Sequence, residues 1–312
     1  MKCDSPHYVD LKTPKIRKGA AIYAVPVSCG KCPPCLHRRI NEWSFRLMQE
    51  YKICNEAHFV TLTYAPEYMT IEMGNVTPNG FMTLNKKHVQ DYMKRLRYHE
   101  KRLRKRFKWK KEQDKAFPVK YYAVGEYGTA NKRPHYHLLI FNACKQAITL
   151  SWKKDGNPIG NVHIDKVNMN TIKYTLKYMD KANNKLPYNF AAFDGVKQFN
   201  QQSTKLGENY LQKKHVVEWH RESTDRNFLI NDRGFKIAMP RYYSLKIWPE
   251  GAERDKLLFD IQKAVKEAEK EDKQAFEKKR LYLQGYNYDT FKDMQRFARY
   301  NDHWARHNIR NL

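Results

Sequence analysis

The chain has 312 residues, enough for one large domain or two ordinary ones, and sets 59 Lys and Arg against 33 Asp and Glu for a formal charge of +26. A neutral core has no use for that excess, which costs self-repulsion unless a polyanion is the partner, so nucleic acid is the leading candidate and an anionic membrane surface the second. No apolar run approaches the ~18 residues of a spanning helix and the opening MKCDSPHYVDLK lacks a signal-peptide core, so a cytoplasmic protein with no membrane partner is expected, its six cysteines being thiols or metal ligands rather than a disulfide frame.

Three of those cysteines lie in CGKCPPC as Cys29, Cys32 and Cys35. Two overlapping C-x-x-C spacings hold thiolates where one soft tetrahedral ion can collect them, and a redox pair would not need the third. Three thiolates do not close a structural zinc site. Cys3 is the expected fourth ligand, ahead of His37, His7 and Cys54, and the plainer alternative is three ordinary thiols in a proline-containing turn. In both readings the role is a staple, not chemistry.

Pro33 and Pro34 suit the start of a helix in which Leu36, Ile40, Trp43 and Leu47 recur at helical spacing. HFVTLTY (58–64), rich in β-branched and aromatic residues, reads as a strand, 65–82 as a loop, and 84–107 as a helix with Val89, Met93 and Leu96 on one face. Strands at 118–128 and 135–141 follow, joined by a short turn. A further strand is expected at 161–167, then a helix at 168–183 that Asn168 or Asn170 could cap. Residues 184–240 are polar and poorly patterned. Leu258, Ile261, Val265 and Ala268 mark an amphipathic helix inside a mixed-charge run from Glu253 to Arg280. There is no internal repeat.

In RPHYHLLIF (133–141), alternation along a strand puts His135 and His137 on one face. A symmetric hairpin with 118–126 places Glu126 opposite His135, so two imidazoles and a carboxylate converge. That set suits a divalent ion with open positions, and the hard oxygen ligand leans it toward Mg²⁺ or Mn²⁺. A structural histidine pair is the alternative. On a basic surface such an ion points to phosphodiester chemistry, which needs a nucleophile. In YTLKYMDK, Tyr174 and Tyr178 are neighbours on one helix face, each followed three residues later by a lysine, Lys177 and Lys181. Spacing alone equally fits a tyrosine pair that packs the helix on the sheet.

Between Lys94 and Lys111 stand eleven Lys or Arg and one acidic residue, with Phe107 and Trp109 interleaved. This is too lopsided for a solvated helix face and reads as a surface that tracks single-stranded DNA. Arg102, Arg104, Lys105, Arg106, Lys108 and Trp109 are its candidates, with Lys132 and Arg133 at the hairpin turn. No G-x-x-x-x-G-K-[ST] sequence occurs, so no P-loop is expected.

HFVTLTY, HYH and the doubled Tyr-x-x-Lys occur in the order of the three motifs of HUH-type rolling-circle initiators. With CGKCPPC…RRINEWSFRL, GEYG…RPHYHLLIF and PRYYSLKIW (240–248), the chain closely resembles the replication initiation proteins of microviruses of the gokushovirus type. The resemblance covers roughly residues 1–184 and that late patch. It implies an α+β fold, a central antiparallel sheet with flanking helices forming a palm-like HUH endonuclease core. The expected layout is an N-terminal Cys cluster and helix (1–57), the core (58–184) and a C-terminal polar and helical region (185–312). It implies a nuclease that nicks single-stranded origin DNA through a 5′-phosphotyrosine, with Tyr174 and Tyr178 as nucleophiles, Lys177 and Lys181 around the phosphate, and His135, His137 and Glu126 as metal ligands. Strand 58–64 would support the sheet centre rather than do chemistry. Host polymerase would extend the free 3′-OH, a host helicase would unwind, and the setting would be the cytoplasm of a bacterial host. An HUH relaxase or transposase, a non-enzymatic zinc-containing DNA-binding protein, and a ribonuclease or RNA-binding protein are the competing classes.

Overall fold

The computed structural model describes residues 3–17, 20–128, 130–181, 193–280 and 287–309, with the backbone alone described at 8, 10–17, 20–26, 178–181, 280, 304 and 306–309. The chain divides into two compact units, Trp43–Gln212 and a second made of Met1–Glu42 with Lys213–Leu312.

The second unit begins with an antiparallel hairpin, β1 (His7–Arg17) and β2 (Ala20–Val27), and the start of α1 (Pro33–Ile53). Pro33 takes the first helical position, where a missing N–H costs nothing. Its C-terminal portion is described below with its own labels.

In the first unit, β3 (Ala57–Thr63) leads through a loop to α2 (Lys86–Arg106) and the short α3 (Lys111–Ala116). The hairpin β4 (Lys120–Tyr127) and β5 (Pro134–Phe141) follows, then α4 (Lys145–Ser151), a two-residue ladder of β6 (Lys153–Lys154) and β7 (Asn157–Pro158), β8 (Val162–Lys166), α5 (Met169–Lys181) and β9 (Phe199–Gln202). Five of these strands form one antiparallel sheet in the order β8-β3-β5-β4-β9. The expected α+β architecture is present, and β5, the histidine strand, lies at its centre.

Alternation sorts the residues of the sheet. Val60, Leu62, Tyr136, Leu138, Ile140 and Ala123 face one side and pack against Val89, Tyr92, Met93 and Leu96 of α2 and Ala147 and Ile148 of α4. Burial of each large side chain there contributes about 1.5–3 kcal/mol. Phe59, Thr61, Thr63, His135, His137 and Glu126 face the other side, where α5 lies against β4 and β5. Farther along that face the Trp43 ring of α1 meets Tyr122 at 4.9 Å. Asn168 caps α5, its side-chain oxygen accepting from the amides of Asn170 and Thr171 at 2.8 and 2.9 Å.

Strand β9, FNQQ, pairs with β4 although its sequence carries no strand pattern. Gly125 makes room for it, because a Cβ there would stand 2.9 Å from the Phe199 ring. The sheet therefore draws on the polar stretch after residue 184.

In the second unit, α6 (Asn209–Gln212) of the first having ended, α7 (Lys214–Arg221), the hairpin β10 (Phe228–Ile230) and β11 (Lys236–Ala238), and α8 (Arg241–Ile247) lead to the long α9 (Ala252–Arg280) and α10 (Tyr288–Ile309). Phe276 of α9 meets Tyr288 and Phe291 of α10 at 5.5 and 5.1 Å. Among the described residues no helix is long and apolar enough to cross a membrane.

Candidate metal and nucleophile site

The hairpin register places Glu126 opposite His135 and Val124 opposite His137, as strand symmetry predicts. Nε2 of His135 and Nε2 of His137 each lie 3.4 Å from the same Glu126 oxygen, Oε2. The two rings stand nearly perpendicular with centroids 4.9 Å apart. One ligand atom from each residue lies within 4.8 Å of the others, so the three could hold a single ion.

The far side of each imidazole is already engaged. Nδ1 of His135 donates to the Arg133 carbonyl at 3.1 Å, which leaves the Nε2 lone pair facing Glu126. Nδ1 of His137 lies 3.0 Å from Thr61 Oγ1, directly across the β3–β5 ladder. Metal-binding histidines are held this way, through a second nitrogen whose partner fixes tautomer and ring angle. Phe59 stacks on the His137 ring at 5.5 Å and 13° and closes its other flank.

Helix α5 brings Tyr174 to this cluster. Its ring meets His137 edge-on at 5.3 Å and Phe59 at 6.0 Å, while the residue stays 45% exposed and so open to an incoming strand. Ile172, Thr175 and Leu176 are the buried face of the helix, and Lys177 is half-buried one turn beyond Tyr174. The side chains of Tyr178 and Lys181 lie outside the described residues, although their backbone continues α5.

A second cluster lies in the other unit. The sulfurs of Cys3, Cys29, Cys32 and Cys35 all fall within 4.8 Å of one another, and Cys3 Sγ to Cys32 Sγ is 3.8 Å. Four thiolates ~2.3 Å from one ion stand roughly 3.8 Å apart in a tetrahedron, whereas a disulfide would be ~2.0 Å. Amides of Lys31 and Cys32 donate to Cys29 Sγ at 3.4 and 3.3 Å, Cys29 N donates to Cys3 Sγ at 3.3 Å, and Asp4 N donates to Cys32 Sγ at 3.4 Å. Burial alone would raise the Cys29 thiol, but those two amides outweigh it and bring it to about 7, while burial pushes Cys32 up to about 12. The donor set and spacing fit a closed tetrahedral zinc-type site.

Residues 57–183 match the family model of the phage replication-associated protein ORF2, a span that runs from β3 through α5 and contains the triad and both tyrosines. Replication-associated protein VP4 of Bdellovibrio phage phiMH2K is 25% identical over 247 residues, covering 73% of this chain and 69% of that protein. Replication-associated protein ORF2 of Spiroplasma virus 4 is 26% identical over 246 residues, covering 71% of this chain and 67% of the other. No solved structure matches. The likeness is to replication initiators of the microvirus type.

Within this microvirus-type frame the predicted DNA-binding residues separate into three groups. Lys132 and Arg133 sit at the β4–β5 turn beside the triad, with Lys132 in the left-handed region at φ 51° and Arg133 donating to the Tyr64 carbonyl at 2.9 Å. Arg102, Lys105, Arg106 and Lys108 are exposed, but on α2 and its C-terminal turn, across the sheet from the triad. Arg104 points inward and is only 6% exposed. It donates to Glu100 at 2.9 Å, to Asp114 at 3.2 Å and to the Asn142 carbonyl, and lies 4.6 Å over the Trp109 ring. Both Arg104 and the half-buried Trp109 thus fasten the end of α2. A helical charge run tells how many cations there are, not which one a buried carboxylate will claim.

Thr61 was not legible as a site residue, since strand 58–64 was expected only to support the sheet. Its signal was present in the alternation of T-L-T, which sends Leu62 to the core and both threonines to the histidine face.

Proposed function

We propose that this chain starts phage rolling-circle replication by nicking and later rejoining one DNA strand at an origin, with Glu126, His135 and His137 as ligands for Mg²⁺ or Mn²⁺. Tyr174 and Tyr178 are the nucleophiles. The observation that carries the reading is a half-exposed phenol whose ring lies 5.3 Å from a histidine of a Glu/His/His cluster.

In this reaction the Tyr174 oxygen attacks phosphorus. The new O–P bond forms as the bond from phosphorus to the 3′ oxygen breaks, the phenol gives up its proton, and the 3′ oxygen gains one to become a free 3′-OH. The ester keeps the energy of the phosphodiester, so the reverse step rejoins DNA without a nucleotide cofactor, in keeping with the lack of a P-loop sequence. A phenol with a pKa near ~10 needs a positive neighbour to react at neutral pH, and Lys177 on the next turn of α5 is placed to serve. A divalent cation held by the triad supplies Lewis-acid stabilisation of the charge that develops on the phosphoryl oxygens. Thr61 and the Arg133 carbonyl keep both Nε2 atoms aimed at that position. Tyr178, four residues on along the same helix face, would take the second cleavage while Tyr174 remains esterified. Zinc at the four cysteines would be structural. Host polymerase and helicase, and the bacterial cytoplasm as the setting, follow from the same reading.

The test is a denaturing gel of labelled single-stranded origin DNA incubated with the protein and Mn²⁺. A slow covalent band is expected, lost with EDTA, in His137→Ala and in the double Tyr174→Phe, Tyr178→Phe. Cleavage that persists without metal, or an adduct formed by the double variant, would refute the assignment.

A further inference from the structure

The charge of α2 calls for a role of its own, because it lies on the wrong side of the sheet to line the cleavage site. The eleven Lys or Arg between Lys94 and Lys111 face a single acidic residue, Glu100, and Glu100 is buried on Arg104. The outward surface keeps Arg97, Lys101, Arg102, Lys105, Arg106 and Lys108, all at least partly exposed. Of the acids nearby, Asp91 accepts from Lys87 and Lys94 at the far end of the helix, Asp114 accepts from Arg104, and Glu112 of α3 is exposed.

Two aromatic rings stand out from the same surface, Tyr98 at 57% and Phe107 at 66% exposure. The Arg102 guanidinium covers the Tyr98 ring at 5.6 Å. Nine residues of helix separate the two rings by ~13 Å, room for about four stacked bases. Arg97 also lines a cleft of about 490 Å³, shared with Lys115, Lys120, Asn142, Ser203 and Lys205. Cations that track a backbone, with aromatics on which bases stack, are what a single strand requires.

Its distance from the triad follows from the strand. Arg104 bonds the Asn142 carbonyl, just past the end of β5, seven residues from His135. At ~3.3 Å per residue that is roughly 23 Å along the strand, on the opposite sheet face. A DNA strand must pass around the sheet to touch both.

We propose that the outer face of α2, with its corner into α3, is a second, non-catalytic binding surface for single-stranded DNA, which grips the strand flanking the cut. Its place in the reaction rests on the nicking reading; its binding of DNA does not. The foothold keeps the flank attached to the protein after the first bond is broken.

The test compares fluorescence anisotropy of the full chain with a 6-nucleotide oligonucleotide spanning the origin and with a 30-nucleotide one, using the triple variant Arg102→Gln, Lys105→Gln, Arg106→Gln. Affinity for the long oligonucleotide should fall about tenfold or more, and its log–log salt slope should shrink by about 2, since each phosphate contact on a single strand contributes ~0.7. Affinity for the short one should stay within twofold. Phe107→Ala should weaken the long complex about fivefold or more through lost stacking. Equal losses on both lengths, no loss on either, or tighter binding of a 30-nucleotide RNA than of the DNA would overturn the proposal. Failure of wild-type protein to nick with Mn²⁺ sinks the nicking reading alone, because the anisotropy comparison stands without cleavage.

Discussion

Replacement of Arg104 by Met keeps the stem of the side chain and removes its charge and donors. Arg104 and Glu100 are 6% and 5% exposed, and Glu100 also accepts from the Cys144 amide at 3.0 Å, so the carboxylate cannot follow its partner out to water. Breaking a buried pair in this way costs about 3–5 kcal/mol, mostly because the surviving charge is left unpaired. The lost donor to the Asn142 carbonyl and the lost stack on Trp109 act in the same direction. For a unit of this size each kcal/mol moves Tm by about 2–4 °C, so a drop of about 6–20 °C is expected. Arg102→Met, two residues away and exposed, should change stability by less than about 0.5 kcal/mol. Adding Glu100→Gln to Arg104→Met removes the stranded charge while keeping an acceptor for Cys144, and should restore more than half of the loss. Calorimetry or urea denaturation reads all four proteins. If Arg104→Met is as mild as Arg102→Met, Glu100 is solvated and the account of this corner is wrong.

Thr61→Val should weaken Mn²⁺ binding about 10–100-fold by isothermal titration while leaving the circular dichroism spectrum unchanged; unchanged affinity would deny Thr61 its hold on His137. Protein purified without added metal should carry about one zinc per chain by elemental analysis, and Cys32→Ser should lose both the zinc and several degrees of Tm. The pH dependence should bear the mark of His88, whose Nδ1 lies 2.7 Å from the Tyr64 hydroxyl. Burial, helped by Arg95 and Lys154, holds this imidazole at about 4, below the ~6.5 of an unfolded chain, so the fold favours its neutral form. The stability it contributes is full above pH ~6.5 and is lost as pH falls toward 4, so urea midpoints of wild type should drop more steeply across that window than those of His88→Gln. Parallel curves would show that His88 titrates as it does when unfolded.

The Glu126–His135 pairing was legible because a hairpin with a short turn has few registers, and alternation then fixes which residues share a face. Cys3 was legible as the fourth thiol only by elimination; 26 residues of intervening chain gave no geometric reason for it. Strand β9 was hidden because FNQQ forms a strand only where β4 offers an open edge and Gly125 a gap, both tertiary facts. The side of the sheet that α2 covers was equally hidden, since helical periodicity marks an inward face without saying which surface it meets. That ambiguity is what allowed the charge run to be read as part of the cleavage groove.

The position of β5 has a kinetic consequence. His135 and His137 are bracketed by β3 on one side and β4 on the other, with further strands outside both. Fraying starts at edges and termini, so the amides of this strand should be among the last to exchange with solvent, at a free energy near that of opening the whole unit. A ligand pair on a loop can release its ion by a local swing; this pair has no such route. Ion turnover is then limited by ligand detachment at fixed backbone, which predicts slow metal exchange from a site that binds without reorganising.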